Sequence, residues 1–345
     1  MDRGRGEWFT AATGHRACAG QPRRLSGAAR FAHRWPHARW AIEGAAGLGA
    51  PLTTLLRTDG IEVIDVPAKL AARVRALSSG HGRKNDDADA RSVGIAALAS
   101  PALGTAKIDA ATTALRAVVE HRDDLVKTRT QTVNRLHVVL TRLVPAGAGR
   151  HLSADHAADL LRGVRPRDAA AKTLRALAMD LVSEVRQLDR RIAKAANDIQ
   201  MAVSASGTTL TALHGLGALT AGKILGRVGD VSRFRSAAAF ASYTGTAPIE
   251  VSSGEVVRHR LSRAGERQLN FCLHVMALAQ VRHDTPGRAY YLRKRSEGKN
   301  HNEAMRCLKR RLSDIVYRQL IGDAVTQKAG PGGHSGAALS SRAAS

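Results

Sequence analysis

W-A-I-E-G-A-A-G-L-G-A-P-L-T-T-L-L-R-T-D-G-I-E-V-I-D-V, residues 40–66, decides the fold class. Trp40-Ala41-Ile42-Glu43-Gly44 reads as a short buried strand that ends in a carboxylate and a Gly-rich turn. Ala45 to Leu56 suits a helix, and Ile61 to Val66 a second apolar strand. Strand, helix, strand at this spacing predicts a parallel βαβ unit. The chain therefore opens its ordered part as α/β.

Outward from this unit the pattern turns helical. Residues 67–80 suit a helix, and the polar stretch S-S-G-H-G-R-K-N-D-D-A-D-A-R (78–91) opens another that runs through Ile95 and Leu98. From about Ala110 to Val144 one long helix is expected. Positions 115, 119, 122, 126, 129, 133, 136, 140 and 143 alternate spacings of four and three, and all but Arg122 and Arg129 are apolar. That is a coiled-coil seam interrupted by two charges. A second long helix is expected from about Arg167 to Ile199, with Leu174, Leu177, Leu181, Val185, Leu188, Ile192 and Ile199 along one stripe. The pair forms an antiparallel arm, a dimerisation element, or two helices packed on their own domain.

Farther on, Leu213-His214-Gly215-Leu216-Gly217 precedes Ala221 and Ile224 at helix-hairpin-helix spacing. Gly215 and Gly217 permit a tight turn whose N–H groups can face a phosphate at a helix N-terminus. Residues 266–320 are helical and basic, with Arg288, Tyr290, Tyr291, Arg293, Lys294, Arg295 and Lys299 in one cluster and Arg306, Lys309, Arg310 and Arg311 in another. A solvated helix face is the bland alternative, but few acids interrupt these runs. Past Gly322 the Gly, Ser and Ala content predicts a flexible tail. Residues 1–34 are rich in Arg, Ala and Gly without a period, and are expected to be largely disordered.

Composition narrows the partners. The 345 residues carry 53 Lys and Arg against 29 acids, a net charge of +24, which calls for a polyanion. Aromatic residues are only 3%, too few for reading single strands by stacking, so contacts to the nucleic-acid backbone are expected. No run of about 18 apolar residues exists, which excludes a spanning helix. Cys18, Cys272 and Cys307 lack any CxxC spacing and suit a reducing cytoplasm rather than a disulfide framework or a zinc knuckle.

Two constellations carry chemistry. Asp86 and Asp89 stand three apart at a helix start, so both carboxylates share a face, and Glu43 closes a strand of the same α/β unit. Converging carboxylates can hold Mg²⁺, although acids at a helix start also simply cap it, which is the role expected of Asp87. In T-G-T-A-P-I-E-V-S-S-G-E-V-V-R-H-R-L-S-R-A-G-E-R-Q (244–268), Ser252 and Ser253 precede Gly254. Arg258, Arg260, Arg263 and Arg267 follow. A hydroxyl on a Gly-hinged turn flanked by guanidinium groups suits attack on a phosphodiester, though Ser-Gly also merely marks turns.

Together these segments resemble the insertion-sequence transposases of the "IS one-ten" class, relatives of the Piv DNA invertase. W-A-I-E-G-A-A-G-L-G (40–49) is similar to the family's Glu-Gly motif. R-K-N-D-D-A-D-A (83–90) is similar to its Lys-x-Asp-x-x-Asp-Ala motif, and residues 213–265 to its C-terminal transposase domain. The resemblance covers roughly residues 35–320. It implies a RuvC-like DEDD domain over 35–104, a helical coiled-coil arm over 105–203, a C-terminal transposase domain over 204–322 and a tail over 323–345.

By the same resemblance Glu43, Asp86 and Asp89 are metal ligands for Mg²⁺. Ser253 is the nucleophile, with Ser252 as the fallback. Gly215, Gly217, Arg258, Arg260, Arg263, Arg267, Arg293, Lys294, Arg295, Lys309 and Arg310 meet nucleic acid. DNA is the substrate, a structured guide RNA the partner, and a homodimer or tetramer the assembly. The family's first strand, with Asp in a Gly-x-Asp context, has no counterpart in residues 1–34. That departure predicts a frameshifted or misassigned start and an impaired copy. Two other classes stay open, a non-catalytic nucleic-acid-binding remnant and a junction nuclease that uses metal alone.

Overall fold

The computed structural model describes residues 35, 38–45, 47–77, 86–100, 103–107, 109–145, 147–149, 151–253, 256–260, 262 and 265–329. The expectations for residues 1–34, for the loop before Asp86, for Arg263 and Gly254, and for the tail past residue 329 lie outside these residues. So do the side chains of Ser253 and Arg258. The chain forms two compact units. One comprises residues up to Ala110 with Gly229–Tyr243, the other Ala111–Val228 with Thr244 onward.

The first unit is built on β1 (Trp40–Glu43), α1 (Ala50–Thr58), β2 (Val63–Val66), α2 (Ala68–Leu77) and α3 (Asp86–Leu98). β1 and β2 pair in parallel, Trp40 opposite Val63 and Glu43 opposite Val66, as the crossover through α1 requires. An antiparallel bridge from Ile64 to Thr105 extends the pairing. Strand alternation gives the pair two apolar faces. On one face Trp40, Ile42 and Val63 pack with Leu52 and Leu56 of α1. On the other, Ala41, Ile64 and Val66 pack with Leu70, Ala71, Val93 and Ala96 of α2 and α3. Glu43 is therefore in register with the α3 side, and Asp65 with the α1 side.

A short 3-10 turn (Val231–Arg233) and α8 (Ala237–Tyr243) complete this unit. The segment is fastened by Lys107, whose ammonium lies 2.7 Å from Asp230 and donates to Ser232 at 3.1 Å. Arg233 stands 4.7 Å from the ring centres of both Phe234 and Tyr243 and 3.7 Å from Asp65. Burial works to raise the Asp230 carboxyl. The hydrogen bonds from Lys107 and Ser232 outweigh it and hold the group below its ordinary value.

The second unit begins with α4 (Ala110–Leu143), α5 (Ala154–Gly163) and α6 (Ala169–Ala205). The long helices match the periodicity, and Leu115, Val119, Leu136, Leu140, Val185, Leu188 and Ile199 are buried as expected, but each stripe shifts locally. Leu125 and Thr132 are buried where the heptad placed Val126 and Val133, and on α6 Ala178 and Val182 are buried while Leu177 is exposed. Polar pairing across the helices accompanies the shift. Arg129 meets Asp189, and the fully buried Thr132 hydroxyl donates to Glu184 at 3.1 Å. Both charges then sit beside the seam instead of breaking it.

α5 occupies the Gly-rich connection. The Ser153 hydroxyl caps it by accepting from His156 N at 3.1 Å, and Leu152, Ala157 and Leu161 close the apolar end of the arm against Leu136, Leu140 and Val182. Then follow α7 (Ala218–Val228), the hairpin of β3 (Ile249–Ser253) and β4 (Val256–Arg260), α9 (Arg267–Arg282), α10 (Pro286–Ser296) and α11 (His301–Ala329). Thr285 caps α10 with Pro286 at its first turn, which divides the basic region into separate helices.

Candidate functional site

The carboxylates come first. Glu43 is exposed at the end of β1, on the strand face toward which α3 packs. Asp86 is exposed as the first residue of α3. Asp89, one turn later, is half-buried, and its Oδ1 lies 2.7 Å from Arg75 Nε of α2. Glu43 and α3 thus occupy one side of the strand pair. Among the described residues, though, no group of three or more His, Cys, Asp or Glu side chains is arranged to hold a metal ion. The hard carboxylate oxygens suit Mg²⁺ chemically, but the arrangement as it stands does not gather three of them.

Sequence reading passed over Asp65. Its Oδ1 accepts from Ala45 N at 3.2 Å, in the turn directly after Glu43-Gly44, and its other oxygen faces Arg233. Arg233, held by two rings, thus braces the turn that ends β1. The sequence signal was faint: an acid inside an apolar strand and an Arg-Phe pair some 170 positions later.

The serines lie on the β3–β4 hairpin. β3 and β4 pair antiparallel, Ile249 opposite Arg260, Ser252 opposite Val257 and Ser253 opposite Val256, which sets the two serines next to the turn. Ser252 Oγ donates to Glu250 Oε1 at 2.6 Å on the exposed strand. Arg258 lies opposite Val251, and Arg260 is exposed at the far end of β4. Arg267 is exposed at the start of α9.

The hairpin base is closed by a backbone crossing. Gly245 has φ +69°, and a Cβ built on Gly265 would lie 2.2 Å from both Gly245 Cα and Gly245 N. Only two glycines can cross so closely. Glu266 then caps α9 through Leu269 N at 2.6 Å, and Arg227 of α7 lies 3.7 Å from Glu266 and 3.1 Å from Glu120 of α4.

The remaining basic candidates divide into distinct environments. Gly215 adopts φ +91° with Ala279 and Met276 of α9 directly against it, so its left-handed conformation serves helix packing. Gly217 is exposed ahead of α7, with nothing within 4 Å of its Cβ position. Arg293, Lys294 and Arg311 surround the Tyr290 ring at 5.1, 5.6 and 5.0 Å, a cationic aromatic patch shared by α10 and α11. Lys294 also pairs with Glu297 at 2.6 Å, Arg295 donates to Lys299 O at 2.8 Å, and Arg310 pairs with Asp314. Lys309 is buried, and its ammonium donates to Asn270 Oδ1.

His274 of α9 lies beside this group. Burial, with the Lys309 and His301 charges, holds its imidazole below the usual 6.5. The folded state therefore binds this proton more weakly than the unfolded chain, so His274 costs stability as pH falls below 6.5. On acidification from about pH 7.5 to about pH 5, the wild type is expected to lose more melting temperature than His274→Gln. Parallel losses in the two proteins would show that another group carries the acid sensitivity.

A DEDD transposase model of IS110 matches residues 19–145, which include Glu43, Asp86 and Asp89. The model of the transposase IS116/IS110/IS902 family matches residues 207–292, spanning the serine hairpin and the crossing at its base. The uncharacterized 44.8 kDa protein of insertion element IS116 from Streptomyces clavuligerus is 28% identical, over 82% of each chain. The uncharacterized 43.6 kDa protein of IS110 from Streptomyces coelicolor is 27% identical, over 81% of this chain and 80% of the relative. A putative transposase of the IS117 mini-circle, also from Streptomyces coelicolor, is 32% identical over 41% of this chain and 35% of its own.

A DEDD transposase match followed by a match to the transposase IS116/IS110/IS902 family defines a DNA transposase. The chain belongs to the IS110/IS116/IS902 family of insertion-sequence transposases. Residues 229–243 fall within the match to the C-terminal family model yet pack into the first unit, so the two matched regions are not two separate folding units. No described helix is long and apolar enough to cross a membrane.

Proposed function

We propose that this transposase cuts and rejoins DNA through a covalent serine intermediate. The observation that carries the reading is the β3–β4 hairpin, which sets Ser252 and Ser253 next to its turn while its base is locked by the Gly245–Gly265 crossing. In the reaction Ser253 Oγ attacks a DNA phosphorus. The bond from phosphorus to a deoxyribose oxygen breaks, that oxygen takes up the proton that serine loses, and a phosphoserine diester forms. Attack by a different DNA hydroxyl reverses the step and releases the serine. One phosphodiester is exchanged for another throughout, so no outside energy source is needed. Arg260 and Arg267, at the hairpin base and away from Ser253, supply positive charge for flanking DNA phosphates.

Glu43, Asp86 and Asp89 are the residues that would hold a divalent ion, Mg²⁺ by their oxygen chemistry, and that ion would stabilise charge on the phosphoryl oxygens. The net charge of +24 and the patch around Tyr290 suit backbone contact with DNA and with a structured guide RNA. The assembly is a homodimer or tetramer that brings two serines to two strands. Arg75 seated on Asp89 favours a second reading, in which this chain binds nucleic acid without cutting it.

The deciding experiment mixes the protein with labelled element-end DNA and separates the products under denaturing conditions. A protein–DNA adduct whose peptide maps to Ser253 is expected. Cleavage without an adduct would leave a nuclease using metal alone, and binding without cleavage would leave the non-catalytic reading.

A further inference from the structure

The hairpin that carries the serines is tied to α9 and α11 through a buried lysine. Lys309 is 9% exposed, and among the described residues no carboxylate contributes to the shift of its ammonium. Its ammonium donates to Asn270 Oδ1. The Asn270 amide nitrogen in turn donates to two backbone carbonyls, Thr244 O at 2.9 Å and Gly245 O at 3.2 Å. Beside them the Thr244 hydroxyl, 1% exposed, shares hydrogen bonds with Thr246 at 3.0 Å and Ser313 of α11 at 3.3 Å. These residues lie where the chain enters β3, at the crossing with Gly265.

Stability alone gives a poor reason for an ammonium here. Burial lowers the Lys309 pKa, and its hydrogen-bond partner among the described residues is a neutral amide, which offsets little of the desolvation. An apolar side chain of similar length would fill the same space without that cost. What the ammonium supplies is direction. It has donors only, so the Asn270 amide must turn its oxygen toward Lys309 and its NH₂ toward the two carbonyls. A flipped amide would place oxygen against oxygen, and the entry to β3 would move away from α9.

We propose that Lys309 and Asn270 are positioning residues for DNA joining, which fix the hairpin entry and so set where Ser253 meets the phosphodiester. This rests on the serine reading above. Neither residue touches DNA. Both act through the backbone of Thr244 and Gly245.

The test compares full-length wild type with Lys309→Met, Lys309→Arg and Asn270→Asp. Melting temperature, DNA affinity, single-turnover joining at saturating DNA, and amide exchange over residues 246–262 are all measured. Lys309→Met is expected to melt no lower than wild type and to bind DNA within about twofold. Its joining is expected to slow by roughly 10- to 100-fold, the scale of a reacting group displaced by about an ångström. Amide exchange over the hairpin should rise, and Lys309→Arg should recover at least part of the rate.

Asn270→Asp keeps the side-chain size and pairs the lysine but turns an oxygen toward the carbonyls, so it should show the same defect even if Lys309→Met fails to fold. Folded variants that join DNA within threefold of wild type would overturn the proposal. So would a loss confined to DNA affinity, which would make Lys309 a nucleic-acid contact. Ser253→Ala run alongside separates the two ideas. If it still forms the adduct, the serine assignment is wrong, while the exchange data still report whether Lys309 pins the hairpin.

Discussion

Ser253→Ala is expected to reduce DNA joining and adduct formation to background, roughly a millionfold, the scale seen when a covalent nucleophile is removed. Val251 and Val256 beside Ser253 have no nucleophile, and the adjacent Ser252 hydroxyl is hydrogen-bonded to Glu250. The fold should not notice the change. Ser253 stands next to the turn of an exposed hairpin, far along the strand from the crossing at its base, and substitutions at such positions stay within about 0.5 kcal/mol.

Ser252→Ala makes the comparison informative. Its hydroxyl is already committed to Glu250 at 2.6 Å, so its loss should leave most of the joining rate. The opposite pattern, with Ser252→Ala inactive and Ser253→Ala active, would transfer the role to Ser252 with Glu250 as its base. Equal activity in both would end the serine mechanism. Single-turnover joining of labelled DNA, with melting curves as the control, reads all three cases.

The second large effect is expected from Gly265→Ala. The added methyl would lie 2.2 Å from Gly245 Cα and N and 2.8 Å from Thr244 C. All three are backbone atoms, so no side-chain rotation relieves the clash. The two chain segments must part by more than an ångström, and that motion also breaks the Asn270 bonds to Thr244 O and Gly245 O. Overpacking of about 1–3 kcal/mol and two lost hydrogen bonds of about 1 kcal/mol each put the cost on the order of 4 kcal/mol. For a unit of this size that corresponds to a fall in melting temperature of about 10 °C.

Gly322→Ala is the matched control. It lies in α11 with nothing within 4 Å of its Cβ position, so the same chemical change should stabilise by about 1 kcal/mol. A Gly265→Ala protein that melts with the wild type would show that the crossing relaxes freely. The hairpin would then not be held as described.

Much of this architecture is legible in the sequence, because it rests on local periodicity. The βαβ unit at 40–66 and the two long helices follow from apolar spacing and breakers, although the second runs on to Ala205, past the expected end near Ile199. The stripes were misread by one position at Leu125 and Thr132, and at Ala178 and Val182. Periodicity places a helix but cannot see that Arg129 and Thr132 find Asp189 and Glu184 across the interface. α5 was missed because ten residues beside glycines carry too few apolar positions to stand out. The brace of Asp65 and Arg233 and the burial of Lys309 were illegible for a different reason. Each depends on partners far away in sequence.

By itself the sequence determined the family, the α/β start, the helical arm, the serine pair before Gly254 and the positive charge that calls for a polyanion. Those properties follow from residue types at short spacings, which the chain displays in any conformation. Only the tertiary structure decided which cations are exposed and which are engaged. It set Lys309 under the hairpin, Arg293, Lys294 and Arg311 around Tyr290, and Arg75 on Asp89. It also showed Gly215 against α9 and Gly245 against Gly265, two glycines whose purpose is a close approach between distant segments. The physical reason is the same in each case. Burial and charge pairing depend on what the fold brings alongside a residue, and the sequence around that residue does not contain its partner.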